Sequence, residues 1–427
     1  MNKKALKAIS FLWVGSIAGA GCAFFAQVVL ARVLGKSDFG VFAAALATVT
    51  LLVPIAGFGV APFWLKAFGE EGWTARRWWP GSFRFVAVTT LVVMFCLILW
   101  AWLGPHEAHM RIVVWLLLFY ILGQVVLELV SSKFQLEEKY LALAFWQFLP
   151  HFGRLLLVAL GAWLFSGVFD VYLAASAYSL VSILVFCAGT ILLFVMYRGY
   201  FSLQGHGSPI SSHYDQRPST LNVAAEVWPF GAAGLFYLVY FQSAVILLNY
   251  LSGAEAAGLY NAAFIIMAAV YLFPSVIYQK FLLPKIHRWA NSDRAIMFDT
   301  FQKGNVYMFG FGVLAMTTLW LGGWWVLPKL FGQEYSEAVV ALNVLALAAP
   351  VRFVASSVGS VLVTRKNMKR KVGYMATVSV ITVVLNAGLI PQFGILGAAT
   401  SAVLGDITLL ILYFYSARRY VFAKEIS

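Results

Sequence analysis

Apolar runs of similar length follow one another along the whole chain, separated by short polar breaks. They fall at residues 9–33, 40–63, 83–103, 112–131, 141–165 and 171–197. After a longer polar stretch they resume at 222–250, 258–279, 304–327, 338–363, 373–391 and 396–416. A helix needs about 20 apolar residues, at ~1.5 Å rise each, to cross the hydrocarbon core of a bilayer. The pattern therefore predicts an all-α integral membrane protein of about twelve spans. Lys3, Lys4 and Lys7 before the first run, with Ala18-Gly19-Ala20 inside it, also resemble a signal peptide. The run continues to Val33, however, and that length favours an uncleaved first span.

The polar breaks divide the chain further. GKSDFG, GPHEAHM, SGVFD and SGAEAAG are too short to hold a domain on their face. YFSLQGHGSPISSHYDQRPST reads as a flexible linker, residues 201–221, between six-helix bundles at 1–200 and 222–417, with a tail at 418–427. GWTARRWWPGSFR, residues 72–84, mixes Trp with Arg and is expected along the interface, where rings and basic heads are both satisfied. Gly40-Val41-Phe42-Ala43-Ala44 matches Gly258-Leu259-Tyr260-Asn261-Ala262 at an offset of 218 residues. Six spans, an even number, separate the two. The halves are thus expected to be parallel repeats around a central cavity.

Composition agrees: 62% of residues are hydrophobic, 11% are charged, and mean hydropathy is +0.84, too apolar for a soluble domain. The net charge of +13 invites a nucleic-acid reading, but its distribution opposes it. With a cytoplasmic N-terminus, twenty-four of the thirty Lys and Arg fall in breaks on one face, which is the positive-inside bias. Both termini are then cytoplasmic. Cys22, Cys96 and Cys187 lie in apolar runs without metal-ligand spacing and read as packing residues.

The informative residues are polar groups within the spans: Gln27, Glu128, His151, Arg154, Glu226, Gln242, Asn249, Arg352, Asn386 and Asp406. Arg154 and Arg352 lie near mid-bilayer, next to Pro150/Gly153 and Pro350, with no acidic residue one helical turn away. Neither sheds its proton at ordinary pH, so each needs a carboxylate, a carbonyl, water or an anionic ligand. Two readings stand. In one, both line a cationic cavity for phosphate or acidic sugars, whose geometry suits guanidinium forks. In the other they pair with Glu128, Glu226 or Asp406 and hold helices together. His151 is either a proton relay or a neutral ring on a carbonyl. Asp406, mid-span, is a coupling-ion candidate or a salt-bridge partner. Glu128 and Glu226, near the cytoplasmic ends of their spans, are coupling candidates or simply solvated. No P-loop, GxSxG, HExxH or Cys/His cluster is present, so neither a metal nor a cofactor is called for.

Val29-Leu30-Ala31-Arg32-Val33-Leu34-Gly35 followed by Asp38-Phe39-Gly40-Val41-Phe42 resembles the opening signature of Wzx-type polysaccharide and O-antigen flippases. These belong to the MATE-like multidrug/oligosaccharidyl-lipid/polysaccharide (MOP) superfamily. Gly258-Leu259-Tyr260 repeats the motif, and Pro391-Gln392-Phe393-Gly394-Ile395-Leu396-Gly397 resembles the family's turn before the last helix. The resemblance implies movement of an undecaprenyl-pyrophosphate-linked oligosaccharide between the leaflets of the bacterial inner membrane. Two bundles would rock by alternating access, driven by an ion gradient, beside polymerase and chain-length proteins of the same pathway. It implies a cationic substrate cavity that Arg154 and Arg352 fit, with His151 beside them, and no nucleic-acid partner. The signature residue Arg32, near the outer end of its span, is either a further substrate contact or an interfacial or gating residue. Relatives carry an acidic residue early in span seven, where this chain has Phe241-Gln242-Ser243-Ala244. That leaves Asp406 or Glu226 as substitutes, beside the candidate Glu128, or no tight ion coupling at all. Two other classes compete. A MATE-like exporter of small cations is opposed by two deep arginines, which repel cations. A membrane-embedded glycosyltransferase or polymerase is opposed by the short outer loops.

Overall fold

The computed structural model describes residues 3–204, 218–275, 277–278, 294–362 and 368–422, and among them there are helices and turns but no strand. Most of the 201–221 linker, the basic residues Arg217, Lys280, Lys285, Arg288, Arg365 and Lys366, and the tail beyond residue 422 lie outside the described residues. In lipid every backbone amide must be satisfied within its own helix, so long apolar runs stay helical until glycine or a polar break stops them. Thirteen α-helices result among the described residues. In the first half they are α1 Lys3–Gly57, α2 Val60–Glu71, α3 Trp79–Leu103, α4 Ala108–Leu136, α5 Tyr140–Leu164 and α6 Val171–Tyr197. In the second they are α7 Thr220–Leu251, α8 Ala254–Ser275, α9 Arg294–Phe331, α10 Ala338–Ala346, α11 Ala348–Val361, α12 Met368–Phe393 and α13 Ile395–Ser416.

Nine helical stretches among the described residues are long and apolar enough to cross a membrane, or ten if the pair α10 and α11, bent by 42°, is one span. The first stretch runs 91 residues, Trp13–Leu103, far beyond one bilayer crossing. Its backbone breaks at Gly35 (φ 71°, ψ 170°), a conformation that side-chain-bearing residues avoid, and again at Gly59 (φ 75°). A 3-10 turn, Gly72–Trp78, then leads into α3. Divided at Gly35 and at this turn, the stretch supplies three spans, in line with the twelve read from the sequence. Elsewhere local chemistry sets the ends. Asp170 caps α6 by accepting the Leu173 amide at 2.9 Å, and Gly394 (φ 55°) turns the chain from α12 into α13.

The chain forms two compact units. The first comprises residues 1–26 and 45–235, the second residues 27–44 and 236–427. In the first, α4 packs against α2, α3, α5 and α6. Gly123 of α4 meets Ser182 of α6 so closely that a methyl there would sit 2.8 Å from the serine Cβ. At the turn between α4 and α5, Glu137 is buried between Lys133 (2.8 Å) and Lys139 (3.1 Å). In the second unit, α11 and α13 pack on each other and on α9, α12 and α8.

The two copies of the repeat motif meet inside the second unit. A methyl on Gly40 would overlap the Ala254 carbonyl, and one on Gly258 would overlap the Lys36 carbonyl. Small residues one turn apart, Gly40 and Ala44 against Ala254, Gly258 and Ala262, let the backbones cross at this distance. Phe42 and Tyr260, two positions on in each copy, are fully buried. Lys36 adds an ion pair to Glu255 at 2.5 Å, and that carboxylate raises the Lys36 pKa above the ordinary lysine value.

Candidate functional site

Arg352 of α11 is where the second unit concentrates its charge. Its Nη1 donates to Asp406 Oδ1 at 2.8 Å, and the Tyr240 hydroxyl donates to the same oxygen at 2.6 Å. The guanidinium also lies over the rings of Phe241 (4.6 Å), Tyr240 (5.4 Å) and Tyr271 (5.6 Å). The aspartate thus meets the arginine that the sequence left open between a carboxylate and a ligand, while Arg352 also lines a cavity.

That cavity encloses about 450 Å³. Besides Arg352 its wall includes Lys371, Ser360 and the tyrosines Tyr237, Tyr278 and Tyr413, and among the described residues no acidic side chain lines it. Lys371 Nζ donates to the Gly359 carbonyl at 3.0 Å and pairs with no described carboxylate. Asp406 therefore offsets one of two cations, and the wall keeps an excess of positive charge. Guanidinium and ammonium donors suit phosphate oxygens, while tyrosine offers a flat apolar face with a hydroxyl that both donates and accepts. The site can hold an anionic group joined to a polyhydroxylated one.

A second cavity, of about 720 Å³, lies within the first unit. Gln124, Glu128, Ser131 and Gln135 of α4 line it at spacings of four, three and four residues, a polar stripe along one face of the helix. Gln147 and His151 of α5, one turn apart, face it as well. Gln147 reaches Ser131 Oγ at 3.5 Å, and Ser132 Oγ donates to the Ala61 carbonyl at 2.9 Å. Among the described residues no hydrogen bond or ion pair engages the Glu128 carboxylate.

The other expected site residues are placed apart from these walls. Arg154 is buried between α4 and α6. Its guanidinium lies over Tyr120 (4.6 Å) and Tyr178 (5.3 Å), its Nη2 reaches Ser182 Oγ at 3.4 Å, and its Nε has no hydrogen-bond partner among the described residues. It lines neither cavity. Arg32 donates to the carbonyls of Lys329 and Leu330 at the end of α9, and Tyr335 donates to the Ala31 carbonyl at 3.0 Å. Glu226 forms a half-exposed ion pair with Lys66 at 3.3 Å. Reading the sequence singled out neither Lys371 nor the tyrosines around Arg352. The α4 stripe was visible as spacing and would have grouped Glu128 with Gln124, Ser131 and Gln135, though not with His151 on the next helix.

A family model described as polysaccharide biosynthesis protein matches residues 5–289. The capsular polysaccharide biosynthesis protein CapF of Staphylococcus aureus is 26% identical over 179 residues, which is 41% of this chain and 44% of that protein. The match therefore spans less than half of that relative. Among solved structures, the lipid II flippase MurJ in an inward closed conformation superposes with a TM-score of 0.71 at 10% identity, over 95% of this chain and 87% of that one. An inward-facing multidrug resistance MATE family transporter of the MOP superfamily gives 0.68 at 12% identity, over 96% of both chains. At such identities the likeness is one of fold.

Proposed function

Since the chain belongs to the polysaccharide biosynthesis protein family and has the fold of the MOP superfamily, we propose that it is a lipid-linked glycan flippase. Its substrate is an undecaprenyl-pyrophosphate-linked oligosaccharide, moved by alternating access from the inner to the outer leaflet of the bacterial cytoplasmic membrane. Both termini face the cytoplasm. The observation that carries this reading is the Arg352 cavity, with its excess cation beside a tyrosine wall. Arg352 and Lys371 take the pyrophosphate, and the tyrosines take the adjoining sugar. An incoming phosphate competes with Asp406 for Arg352, so binding loosens the link between α11 and α13. Glu128 and His151, on the polar wall of the first unit, are the coupling-ion residues of this scheme. Two cations at the wall disfavour a cationic drug as cargo.

Deleting the gene and analysing membrane lipids tests the proposal. The deletion strain is expected to accumulate undecaprenyl-pyrophosphate-linked oligosaccharide and to lose surface glycan, with both reversed by the wild-type chain. Normal surface glycan without accumulation of the lipid intermediate would sink it.

A further inference from the structure

An apolar groove on the first unit belongs to neither cavity. It runs between α3, α4 and α6, from Pro80 and Tyr197 to Leu91 and Phe186, and encloses about 630 Å³. Along α3 this is about 17 Å of helix at ~1.5 Å per residue, close to half a bilayer core. Nearly every wall residue is aliphatic or aromatic, and Thr90 turns its hydroxyl to the Ala56 carbonyl at 3.3 Å. The same helix exposes Val88, Leu91 and Phe95, as a lipid-facing flank does.

The exception is Arg84 at one end. It is exposed, lines the groove and pairs with no described carboxylate. The neighbouring arginines are engaged. Arg76 stacks on Trp73 (5.5 Å) and Trp79 (5.2 Å), and Arg77 pairs with Glu71 at 3.2 Å. Bulk lipid tails would fill an apolar groove without any need for a cation. One trough ending at one uncommitted guanidinium matches instead a single-chain amphiphile with a phosphate head.

We propose that this groove docks the polyprenyl chain of the phosphorylated carrier lipid, its first isoprene units along α3 and α6 and its phosphate on Arg84. The inference rests on the flippase reading, and under the topology proposed above the groove opens to the cytoplasmic leaflet, where the substrate is loaded. It assigns the lipid tail a place separate from the Arg352 cavity.

The test uses the full chain in phosphatidylcholine nanodiscs with a diazirine-bearing polyprenyl phosphate, adducts being mapped by mass spectrometry after illumination. Adducts are expected on α3, α4 and α6 within residues 83–91, 122–129 and 186–194. Arg84→Glu combined with Ala87→Trp should lower them about tenfold, while Arg84→Lys keeps most of the labelling, the charge being retained. Unlabelled undecaprenyl phosphate should compete, and phosphatidylglycerol should not. Equal competition by phosphatidylglycerol, or adducts spread evenly over the lipid-facing surface, would overturn the proposal. Because labelling needs no transport, a groove that labels in a protein whose deletion accumulates no lipid intermediate would separate failure of the flippase reading from failure of the docking site.

Discussion

At the level of single side chains, the two deep arginines part company. Arg352 faces a cavity and a carboxylate, so Arg352→Ala leaves Asp406 buried without its cation, a loss of about 3–5 kcal/mol. Loss of glycan display in that variant alone would be ambiguous. The double substitution Arg352→Met with Asp406→Asn removes both charges. It is expected to keep a melting temperature near wild type while display stays abolished, and Arg352→Lys should retain part of it. Restored display in the double variant would reduce Arg352 to a counter-ion and remove it from the anion site. Arg154 clasps three helices through Tyr120, Tyr178 and Ser182. Arg154→Ala should therefore act first on stability, by about 1–3 kcal/mol, read as a lower melting temperature in detergent. An unchanged melting temperature with abolished display would return Arg154 to the substrate. Both arginines stood out in the sequence as charges at mid-span. Which one had a carboxylate could not be read there, since Asp406 lies 54 residues from Arg352 along the chain.

Among helices, glycine spacing decides which backbones touch. The Gly40 and Gly258 motifs were legible as an internal repeat, but a repeat reports similarity and not contact. In the structure the two copies cross at their glycines, backbone against backbone, where no side-chain movement can make room. Gly40→Leu or Gly258→Leu should cost about 3 kcal/mol or more and abolish monodisperse protein in size-exclusion chromatography. Gly388→Ala on α12, where an added methyl meets nothing within 4 Å, should be neutral or slightly stabilising. Equal tolerance at all three positions would mean that the crossing does not hold the second unit. The α4 stripe shows the complementary limit: its period placed four polar residues on one face, yet only the packing of α5 beside it made that face a cavity wall.

For the chain as a whole, charge bias and span count make a prediction independent of any site. A periplasm-only reporter fused after Gln204 should be silent, and one fused after Gly253 should be active; the reverse would invert the proposed orientation. The sequence was enough for the all-α membrane class, the spans, the repeat and the family signature. These follow from local quantities: hydrophobic length, the obligation of backbone amides in lipid to bond within their own helix, and the sidedness of Lys and Arg. It also located the break at Gly35, which falls between the first two runs, whereas the break at Gly59 lies inside the run read as 40–63 and came only with the backbone angles. Pairing of distant groups needed the fold. Arg352 with Asp406 and Tyr240, Lys371 on the same wall, Arg154 between two tyrosines, Arg32 on the carbonyls of α9 and Arg84 at the foot of an apolar trough all depend on helix rotation and register. Those are set by side-chain packing between segments far apart in the chain, and hydrophobic periodicity in a helix apolar on every side carries almost no record of them.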